Sequence, residues 1–253
     1  MNTVTGNAGS ANMATAPARL TSASGGLAHG TDDSLVSVAR PARRYARGEH
    51  IFHAGDRTPN VYLVESGSVK LYGSTDDGAE QIFSFCLPGE FFGLDVLGAP
   101  AHASSAAALE AAAVRALHVP DIRDLYRRVP AVQQRIHRML SRCINDMYQQ
   151  MLTLSRKHAD ERLAGFLLEL DARLPVSQRT LHTLRLSMSR YEIGCHLGLT
   201  LETVSRLFRR FDEKGLTYTR ARRIQLRDPV GLAELAGMDI GSLVFAAPES
   251  LPA

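Results

Sequence analysis

From about Tyr45, hydrophobic and polar positions alternate in short segments. The segments HIFHAG, NVYLVESGSVKLYGS and EQIFSFCLPGEFFG each alternate with a period of two. Gly67, Gly78 and Gly89 follow such segments at intervals of 11 residues. Short strands with regularly spaced turn glycines predict an antiparallel β-barrel or roll, and the same pattern continues through residues 106–119.

A helical period replaces this alternation from Ile122 to about Lys157, with Pro130 tolerated in a first turn or at a short break. Apolar residues recur there at steps of four and three, as in a heptad seam, and Gln150 is the polar exception. The seam predicts these dimer-interface residues: Ile136, Leu140, Cys143, Met147 and Leu154. Four further residues widen the apolar face: Val132, Met139, Ile144 and Met151. So broad a face needs two partners, the roll of the same chain and the same helix of a second copy; a core helix within one chain is the alternative.

The segment from Ser189 to Gly215 has the signals of two short helices joined by a turn. Ser189 and Glu192 have the spacing of a capping box. Gly198 suits a turn that needs positive φ, and Thr200 can cap the second helix. The second helix has an apolar period that predicts its buried face: Val204, Leu207, Phe208 and Phe211. An amphipathic, basic second helix predicts a helix-turn-helix, and the alternation after Gly215 predicts a wing hairpin.

The first turns of the second helix carry three candidate base-reading residues, Glu202, Ser205 and Arg206. Arginine can donate two hydrogen bonds to guanine O6 and N7, and glutamate can accept one from cytosine N4. The predicted contacts to the DNA backbone are Thr200, Thr203, Arg209 and Arg210, and on the wing Arg220, Arg222 and Arg223. The alternatives are an ordinary Glu–Arg pair on the helix surface and solvated charge on the hairpin.

Charge and cysteine content restrict the class of protein. The net charge of +3 says little, but Leu201 to Arg227 contains eight Lys or Arg and three Asp or Glu, which suits an anionic partner. Cys86, Cys143 and Cys195 are few and widely separated, which argues against a structural zinc site and favours a reducing cytoplasm. No apolar run approaches the roughly 18 residues of a membrane span, and the N-terminus lacks the layout of a secretory signal. We therefore expect a cytoplasmic protein without a membrane partner.

Together these features resemble the CRP/FNR family of bacterial transcription regulators. The resemblance runs from about Arg43 to Gly237 and is densest in LSRKHADERLAGFLLELD and SMSRYEIGCHLGLTLETVSRLFRRFDEKG. The second stretch looks like the FNR and FixK branch, whose recognition helix carries Glu, Ser and Arg. The cyclic-AMP-responsive branch has an Arg where this chain has Leu201.

The resemblance implies an α+β fold: an N-terminal antiparallel β-roll like a cyclic-nucleotide-binding domain, a long dimerisation helix and a C-terminal winged helix-turn-helix. It also implies a homodimer that binds palindromic double-stranded DNA with TTGAT-like half-sites and recruits or blocks RNA polymerase. The predicted boundaries are a disordered tail at 1–34, the roll at 35–120, the dimerisation helix at 121–157, the winged helix-turn-helix at 158–237 and a flexible tail at 238–253. A loop is predicted at Val176–Arg179.

The residues argue against two effectors known in the family. An iron–sulfur cluster needs about four thiolates, and the three cysteines are scattered. The cyclic-AMP branch holds its nucleotide with a Gly-Glu pair and an Arg-Ser pair, whereas the matching stretches here are Gly93-Leu94-Asp95 and His102-Ala-Ser-Ser105. The arginine for the cyclic phosphate is absent, and an anion buried without a cation is costly. We therefore expect no cofactor.

Three hypotheses for the input remain open. The protein has no ligand and is controlled by its abundance, or the roll binds haem or another small molecule, or oxidation of Cys195 disturbs DNA docking. The candidate haem ligands are His50, His53, His102 and His118. A ligand-binding module without DNA binding is the alternative class. The absence of a Gly-rich phosphate loop, a nucleophile elbow and a metal-spaced His/Glu pair argues against an enzyme.

Overall fold

The computed structural model describes residues 34–74, 78–174 and 182–238. The predicted N-terminal tail up to residue 33, the predicted loop at Val176–Arg179 and residues 239–253 lie outside the described residues. The strands are β1 (Arg43–Tyr45), β2 (His50–Phe52), β3 (Asn60–Ser66), β4 (Val69–Ser74), β5 (Glu80–Cys86), β6 (Phe91–Phe92), β7 (Ser105–Ala108), β8 (Ala112–His118), β9 (Thr183–Arg185), β10 (Thr217–Arg220) and β11 (Arg223–Leu226).

Seven α-helices occur within these described ranges, together with one short 3-10 helix at Leu94–Leu97. The α-helices are α1 (Ser34–Ser37), α2 (Val119–Arg128), α3 (Pro130–Arg156), α4 (Ala159–Arg173), α5 (Arg190–Leu197), α6 (Leu201–Glu213) and α7 (Pro229–Leu235). None of the helices in the described part of the chain is long and apolar enough to cross a membrane. The mixture of an antiparallel roll and helices confirms the predicted α+β class.

The N-terminal half is a roll of two four-stranded antiparallel sheets, in the orders β1-β8-β3-β6 and β2-β7-β4-β5. Gly67, Gly78 and Gly89 all have positive φ, as expected for turn glycines. The inner faces of the sheets enclose an apolar cluster that includes Phe52 and Phe92. The outer face of the second sheet is also covered, because its apolar side chains join the core of the C-terminal domain. This sheet therefore connects the two halves of the molecule.

The helical segment after the roll is divided at Val129. Pro130 is the first residue of α3, where its missing N–H costs no helical hydrogen bond, and α2 ends just before it. The predicted tolerance of Pro130 at a first turn or short break is confirmed. The division lets α2 lie against the roll while α3 runs on for 27 residues.

The predicted dimer seam on α3 needs correction. Ile136 is only 2% exposed and packs in a cluster with residues of the roll, so it cannot bury further area against a second copy. The prediction of Ile136 as an interface residue is therefore wrong. Leu140 is half-buried against the same cluster, and Leu154 is half-buried farther along the helix. Cys143 and Met147 are exposed.

The exposed apolar face of α3 shares Met147 with the predicted seam and otherwise lies beside it on the helix. Five large apolar side chains there are between 50% and 69% exposed: Ile144, Met147, Tyr148, Met151 and Leu152. Their spacing at three, four, seven and eight residues places them on one face. Successive helix positions differ by about 100° around the axis, so neighbouring residues belong to different faces. Both faces of α3 carry apolar residues at steps of three and four, and a heptad count alone therefore does not show which face packs on the roll.

Candidate nucleic-acid interface

The local signals predicted for the helix-turn-helix are confirmed. Ser189 Oγ accepts a hydrogen bond from the Glu192 N–H at 3.2 Å, and Glu192 Oε2 accepts one from the Ser189 N–H at 2.7 Å. Gly198 has a φ of 63° and ends α5. Thr200 Oγ1 accepts a hydrogen bond from the Thr203 N–H at 3.2 Å and so caps α6. These contacts set the angle at which α6 leaves α5.

Helix α6 divides into a buried face and a basic, exposed face. The buried face consists of the predicted residues Val204, Leu207, Phe208 and Phe211. On the opposite side Glu202 and Arg206 are exposed and Ser205 is half-exposed, so the structure brings the three candidate base-reading residues together. The Glu202–Arg206 ion pair that the spacing permits is absent from the described structure. Both charges therefore remain available to a ligand.

The predicted phosphate-contacting residues of α6 differ in exposure and in their existing side-chain contacts. Thr200 lies exposed at the helix N-terminus, where N–H groups and the helix dipole favour an anion. Thr203 is half-exposed, and its hydroxyl oxygen accepts a hydrogen bond from Thr200 at 3.1 Å. Arg209 is exposed. Arg210 differs, because its Nη1 lies 3.7 Å from the Asp160 carboxylate of α4, and this ion pair competes with any phosphate.

Asp212, a residue that no sequence motif singles out, fixes the wing to the end of α6. Its Oδ1 accepts hydrogen bonds from the Thr217 hydroxyl at 2.6 Å and the Thr219 hydroxyl at 3.1 Å. Its Oδ2 accepts one from the Thr219 N–H at 3.3 Å. A carboxylate near a helix C-terminus is unfavourable to the dipole, and these donors compensate. The hairpin β10–β11 thereby keeps a fixed position beside the recognition helix.

Three arginines lie side by side across the wing sheet, in a set we call the arginine row: Arg220, Arg223 and Arg185. Arg223 on β11 is the direct partner of Arg220 on β10 and of Arg185 on β9. Like charges directly opposite each other destabilise a sheet, so the row favours binding of a polyanion. With Arg222 these residues line a cleft of about 460 Å³. Arg185 also forms a 3.5 Å ion pair with Glu110 of the roll.

Arg220 and Arg223 were predicted to contact DNA, but Arg185 was not. It lies 35 residues before Arg220 in the chain, on a strand of three residues. Only the strand register places it in the row. Arg222, at the wing turn, is exposed and its Nη1 donates to the Ser187 carbonyl at 3.4 Å.

The stretches that match the nucleotide-binding residues of the family bind to each other within the roll. Asp95 accepts hydrogen bonds from His102 Nδ1 at 3.0 Å, the Ala103 N–H at 2.6 Å and the Val96 N–H at 3.1 Å. Burial alone would raise the pKa of Asp95, but the hydrogen bonds from His102 and Ala103 outweigh it and lower the pKa. The buried His102 ring stacks on Phe52 with centroids 3.7 Å apart. These contacts engage Asp95 and His102 with neighbouring groups of the roll.

Each of the four candidate haem ligands contacts another side chain of the roll. His50 forms a 2.7 Å hydrogen bond with the Tyr72 hydroxyl and stacks on His53. His102 is engaged by Asp95, and His118 contacts Asn60 Oδ1 at 3.2 Å. In the described ranges, no group of three or more His, Cys, Asp or Glu side chains could hold a metal ion. Haem binding in the roll therefore stays a prediction.

The three cysteines lie in different environments. Cys86 is buried, and burial raises the pKa of its thiol to about 12, whereas Cys143 is exposed on α3. Cys195 is half-buried on α5, and the neighbouring Cys195 thiol raises the pKa of the Tyr191 phenol. Because α5 is the first helix of the helix-turn-helix, Cys195 lies within the DNA-binding unit. Its redox role stays a prediction.

Comparison with known proteins agrees with this architecture. Residues 42–129 match the cyclic nucleotide-binding domain family, and residues 161–235 match the Crp-like helix-turn-helix domain family. The transcriptional activator protein Anr of Pseudomonas protegens is 40% identical over 205 residues, which cover 81% of this chain and 84% of Anr. The fumarate and nitrate reduction regulatory protein of Escherichia coli K12 is 36% identical, over 81% of this chain and 82% of that protein.

A solved structure extends the similarity to three dimensions. FixK2 from Bradyrhizobium japonicum matches with a TM-score of 0.72 and 36% identity, covering 78% of this chain and 97% of FixK2. The overall architecture of this chain is therefore similar to that of FixK2. The chain therefore belongs to the CRP/FNR family and is a DNA-binding transcription regulator with a helix-turn-helix.

Proposed function

We propose that the protein acts in the cytoplasm as a homodimer that binds palindromic DNA with TTGAT-like half-sites and acts on RNA polymerase. The observation that carries this proposal is the exposure of Glu202, Ser205 and Arg206 together on the outer face of α6. The N-terminal turns of a recognition helix are the part that enters the major groove. The chain is accordingly a regulator rather than an enzyme, as its relatives are.

The three side chains supply a set of donors and acceptors suited to base edges. Arg206 can donate two hydrogen bonds to guanine O6 and N7, and Glu202 can accept one from cytosine N4. Ser205 can contact a base edge or a thymine methyl. A good bidentate pair contributes about 1–3 kcal/mol of discrimination between bases. Because Glu202 and Arg206 do not pair with each other in the described structure, neither contact requires an internal ion pair to break.

Two copies would pair through the exposed apolar face of α3, which we call the α3 face and define as Ile144, Met147, Tyr148, Met151 and Leu152. A contiguous exposed apolar patch is typical of a protein–protein contact. The face lies on the helix that leads directly from the roll to the DNA-binding domain. A two-fold axis along α3 would present two recognition helices to the two halves of a palindrome.

Binding to a palindrome tests this function. We expect the purified protein to bind a duplex with two TTGAT-like half-sites at least about a thousandfold more tightly than a scrambled duplex. Fluorescence anisotropy at 50 mM and 200 mM salt should show steep weakening, since phosphate contacts release counterions. Equal affinity for the two duplexes at both salt concentrations would contradict the proposal.

We infer that the outcome is activation, since the relative Anr is named a transcriptional activator. In vitro transcription from a promoter carrying the palindrome checks this inference. Transcript yield should rise with protein concentration when the site lies upstream of the promoter elements. A fall in yield with the site in that position would indicate repression instead.

We further propose that the roll takes no cyclic nucleotide. The Asp95 carboxylate is used by His102, Ala103 and Val96, and aromatic rings occupy the surrounding space. Abundance of the protein would then set DNA occupancy. Isothermal titration with cyclic AMP should give no heat of binding, and DNA affinity should not change in its presence.

A second candidate input is oxidation of Cys195. The observation in its favour is that this half-buried thiol lies on α5, within the helix-turn-helix, next to an exposed Tyr191. An added oxygen at the sulfur would need space between α5 and its neighbours. Treatment with hydrogen peroxide should weaken DNA binding of the native protein and leave Cys195→Ser unaffected. Equal weakening of both proteins would exclude this residue as the sensor.

A further inference from the structure

The C-terminal ends of α3 and α5 meet beside the first turns of α4. The last carbonyl groups of any α-helix lack partners within the helix and carry the negative end of its dipole. Where two helix ends meet, these carbonyls need donors from other elements. Two side chains supply donors here, Gln150 of α3 and Arg162 of α4.

Arg162 joins the two helix ends through three hydrogen bonds. Its Nη2 donates to the Leu154 carbonyl at 2.8 Å, and its Nε donates to the Lys157 carbonyl at 2.9 Å. Its Nη1 donates to the Leu197 carbonyl at the end of α5, also at 2.9 Å. One rigid guanidinium therefore fixes the end of α5 relative to the end of α3.

Gln150 makes a second connection between the same helices. Its Nε2 donates to the His196 carbonyl at 2.7 Å. The contact accounts for the polar residue that interrupts the apolar heptad count on α3. That position faces the helix-turn-helix of the same chain, so an amide donor is more useful there than an apolar side chain. A carbonyl of α5 would otherwise lose its partner.

The turn between α5 and α6 lies against the same contacts. A Cβ added to Gly198 would lie 3.3 Å from Leu154 Cδ2 and 3.4 Å from Arg162 Nη1. On the other side, His196 Nδ1 donates to the Ile82 carbonyl of the roll at 3.1 Å. The helix end that precedes the recognition helix is thus held by α3, α4 and the roll.

We propose that Gln150 and Arg162 are positioning residues that fix the orientation of the recognition helix relative to α3. In this arrangement the helix that pairs the two copies also sets the direction of each α6, and with it the half-site spacing that the dimer accepts. The proposal rests on the proposed function as a dimer on palindromic DNA. Neither residue needs to touch DNA.

Half-site spacing is a sensitive measure of this orientation. Adding one base pair between half-sites moves them apart by about 3.4 Å and rotates one relative to the other by about 35°. A rigid dimer tolerates this poorly, because one recognition helix must leave its groove. If the end of α5 is less firmly held, the recognition helix can reorient to reach the displaced half-site. Such a dimer loses less affinity than the rigid one when the spacing increases.

The test compares Gln150→Met with the native protein on palindromes of native spacing and of spacing increased by one base pair. Methionine keeps the length of the side chain and removes its N–H donors. The matched control is Gln149→Met, since Gln149 is the exposed neighbour on α3. We expect the affinity for native spacing divided by the affinity for increased spacing to fall about three- to tenfold in Gln150→Met, in line with loss of one half-buried hydrogen bond. In the control this ratio should stay at the native value.

This ratio distinguishes a change in the orientation of the recognition helix from a loss of stability. Partial unfolding lowers the active fraction of protein equally for both duplexes and leaves the ratio unchanged. Arg162→Lys is the second variant, and it should lower the ratio further while far-ultraviolet circular dichroism shows a folded protein. A native ratio in both variants would overturn the proposal, as would an equal fall in Gln149→Met. Failure of the native protein to prefer any palindrome would instead contradict the proposed function.

Discussion

At the scale of single residues, the arginines of this chain differ in what surrounds them. Arg173 is engaged by the Glu90 carboxylate at 2.7 Å and by the Phe85 carbonyl, and Arg162 is engaged by three carbonyls. Arg206 is exposed and has no ion pair in the described part of the molecule. The first two therefore stabilise the fold, whereas the charge of Arg206 is available to an external acceptor.

Replacement of Arg206 tests that distinction. Arg206→Ala should weaken binding to the palindrome by about 1–3 kcal/mol and remove the preference for guanine at one position of each half-site. Binding to scrambled DNA should change little. Competition anisotropy with duplexes substituted at each position measures both effects. An equal loss on specific and scrambled DNA would assign Arg206 to the phosphates instead.

His196 is the residue whose titration should affect stability most clearly. Burial lowers its pKa to about 4, with the hydrogen bond to the Ile82 carbonyl opposing the shift. The unfolded chain, with a pKa near 6.5, binds the proton more readily, so the native state loses stability as pH falls from about 6.5 towards 4. The ring keeps some solvent contact, which reduces the effect.

We therefore expect about 1–2 kcal/mol less unfolding free energy at pH 5 than at pH 7.5 from this residue alone. Urea unfolding at the two pH values measures it. His196→Asn keeps a donor for the Ile82 carbonyl but does not titrate, so its pH dependence should be smaller by that amount. An unchanged pH dependence would show that His196 is not the responsible group.

At the scale of elements, α3 has two apolar faces, one buried against the roll and one exposed. One face packs on the roll through Val132, Ile136 and Met139, and the exposed α3 face begins at Ile144. Along the same helix, the position of Gln150 turns towards the helix-turn-helix. One helix thus supports the roll, the proposed dimer contact and the DNA-binding domain in succession.

A charge placed on the α3 face should dissociate the dimer. We expect Met151→Glu to weaken self-association at least about a hundredfold, since burial of an unpaired carboxylate costs several kcal/mol. Gln149→Glu adds the same charge outside the face and should remain dimeric. Sedimentation equilibrium measures both. If Cys143→Glu dissociates the dimer and Met151→Glu does not, the contact lies along the heptad seam first predicted.

At the scale of the whole molecule, the roll and the DNA-binding domain form one packed unit. The buried Ser68 and Ser187 hydroxyls are 2.6 Å apart across the junction, and Arg185 reaches Glu110 of the roll. The arginine row therefore borders the roll as well as the wing. DNA that follows the row would pass close to the roll, where Glu110 competes for Arg185.

The contribution of the row is measurable through salt. Arg185→Gln should weaken binding to specific and scrambled DNA about equally and lower the salt slope by about 0.9, the value for one phosphate contact. Glu110→Gln should instead strengthen binding to both DNAs, because it frees Arg185 from its ion pair. Anisotropy across a series of salt concentrations gives both slopes. An unchanged salt slope in Arg185→Gln would show that Arg185 makes no phosphate contact.

The sequence by itself determined the features that depend on near neighbours in the chain. The capping box at Ser189, the turn at Gly198, the cap at Thr200 and the buried face of α6 all involve residues within a few positions of each other. Their spacing therefore identifies both the helices and the side that faces outwards. The three base-reading candidates followed from that side.

Only the tertiary structure decided what depends on contacts between distant segments. The α3 periodicity was compatible with two faces, and only packing against the roll showed that Ile136 belongs to the core. Strand register brought Arg185 beside Arg223, and the meeting of two helix ends gave Gln150 its partner. Such contacts join residues tens of positions apart, and local spacing carries no information about them.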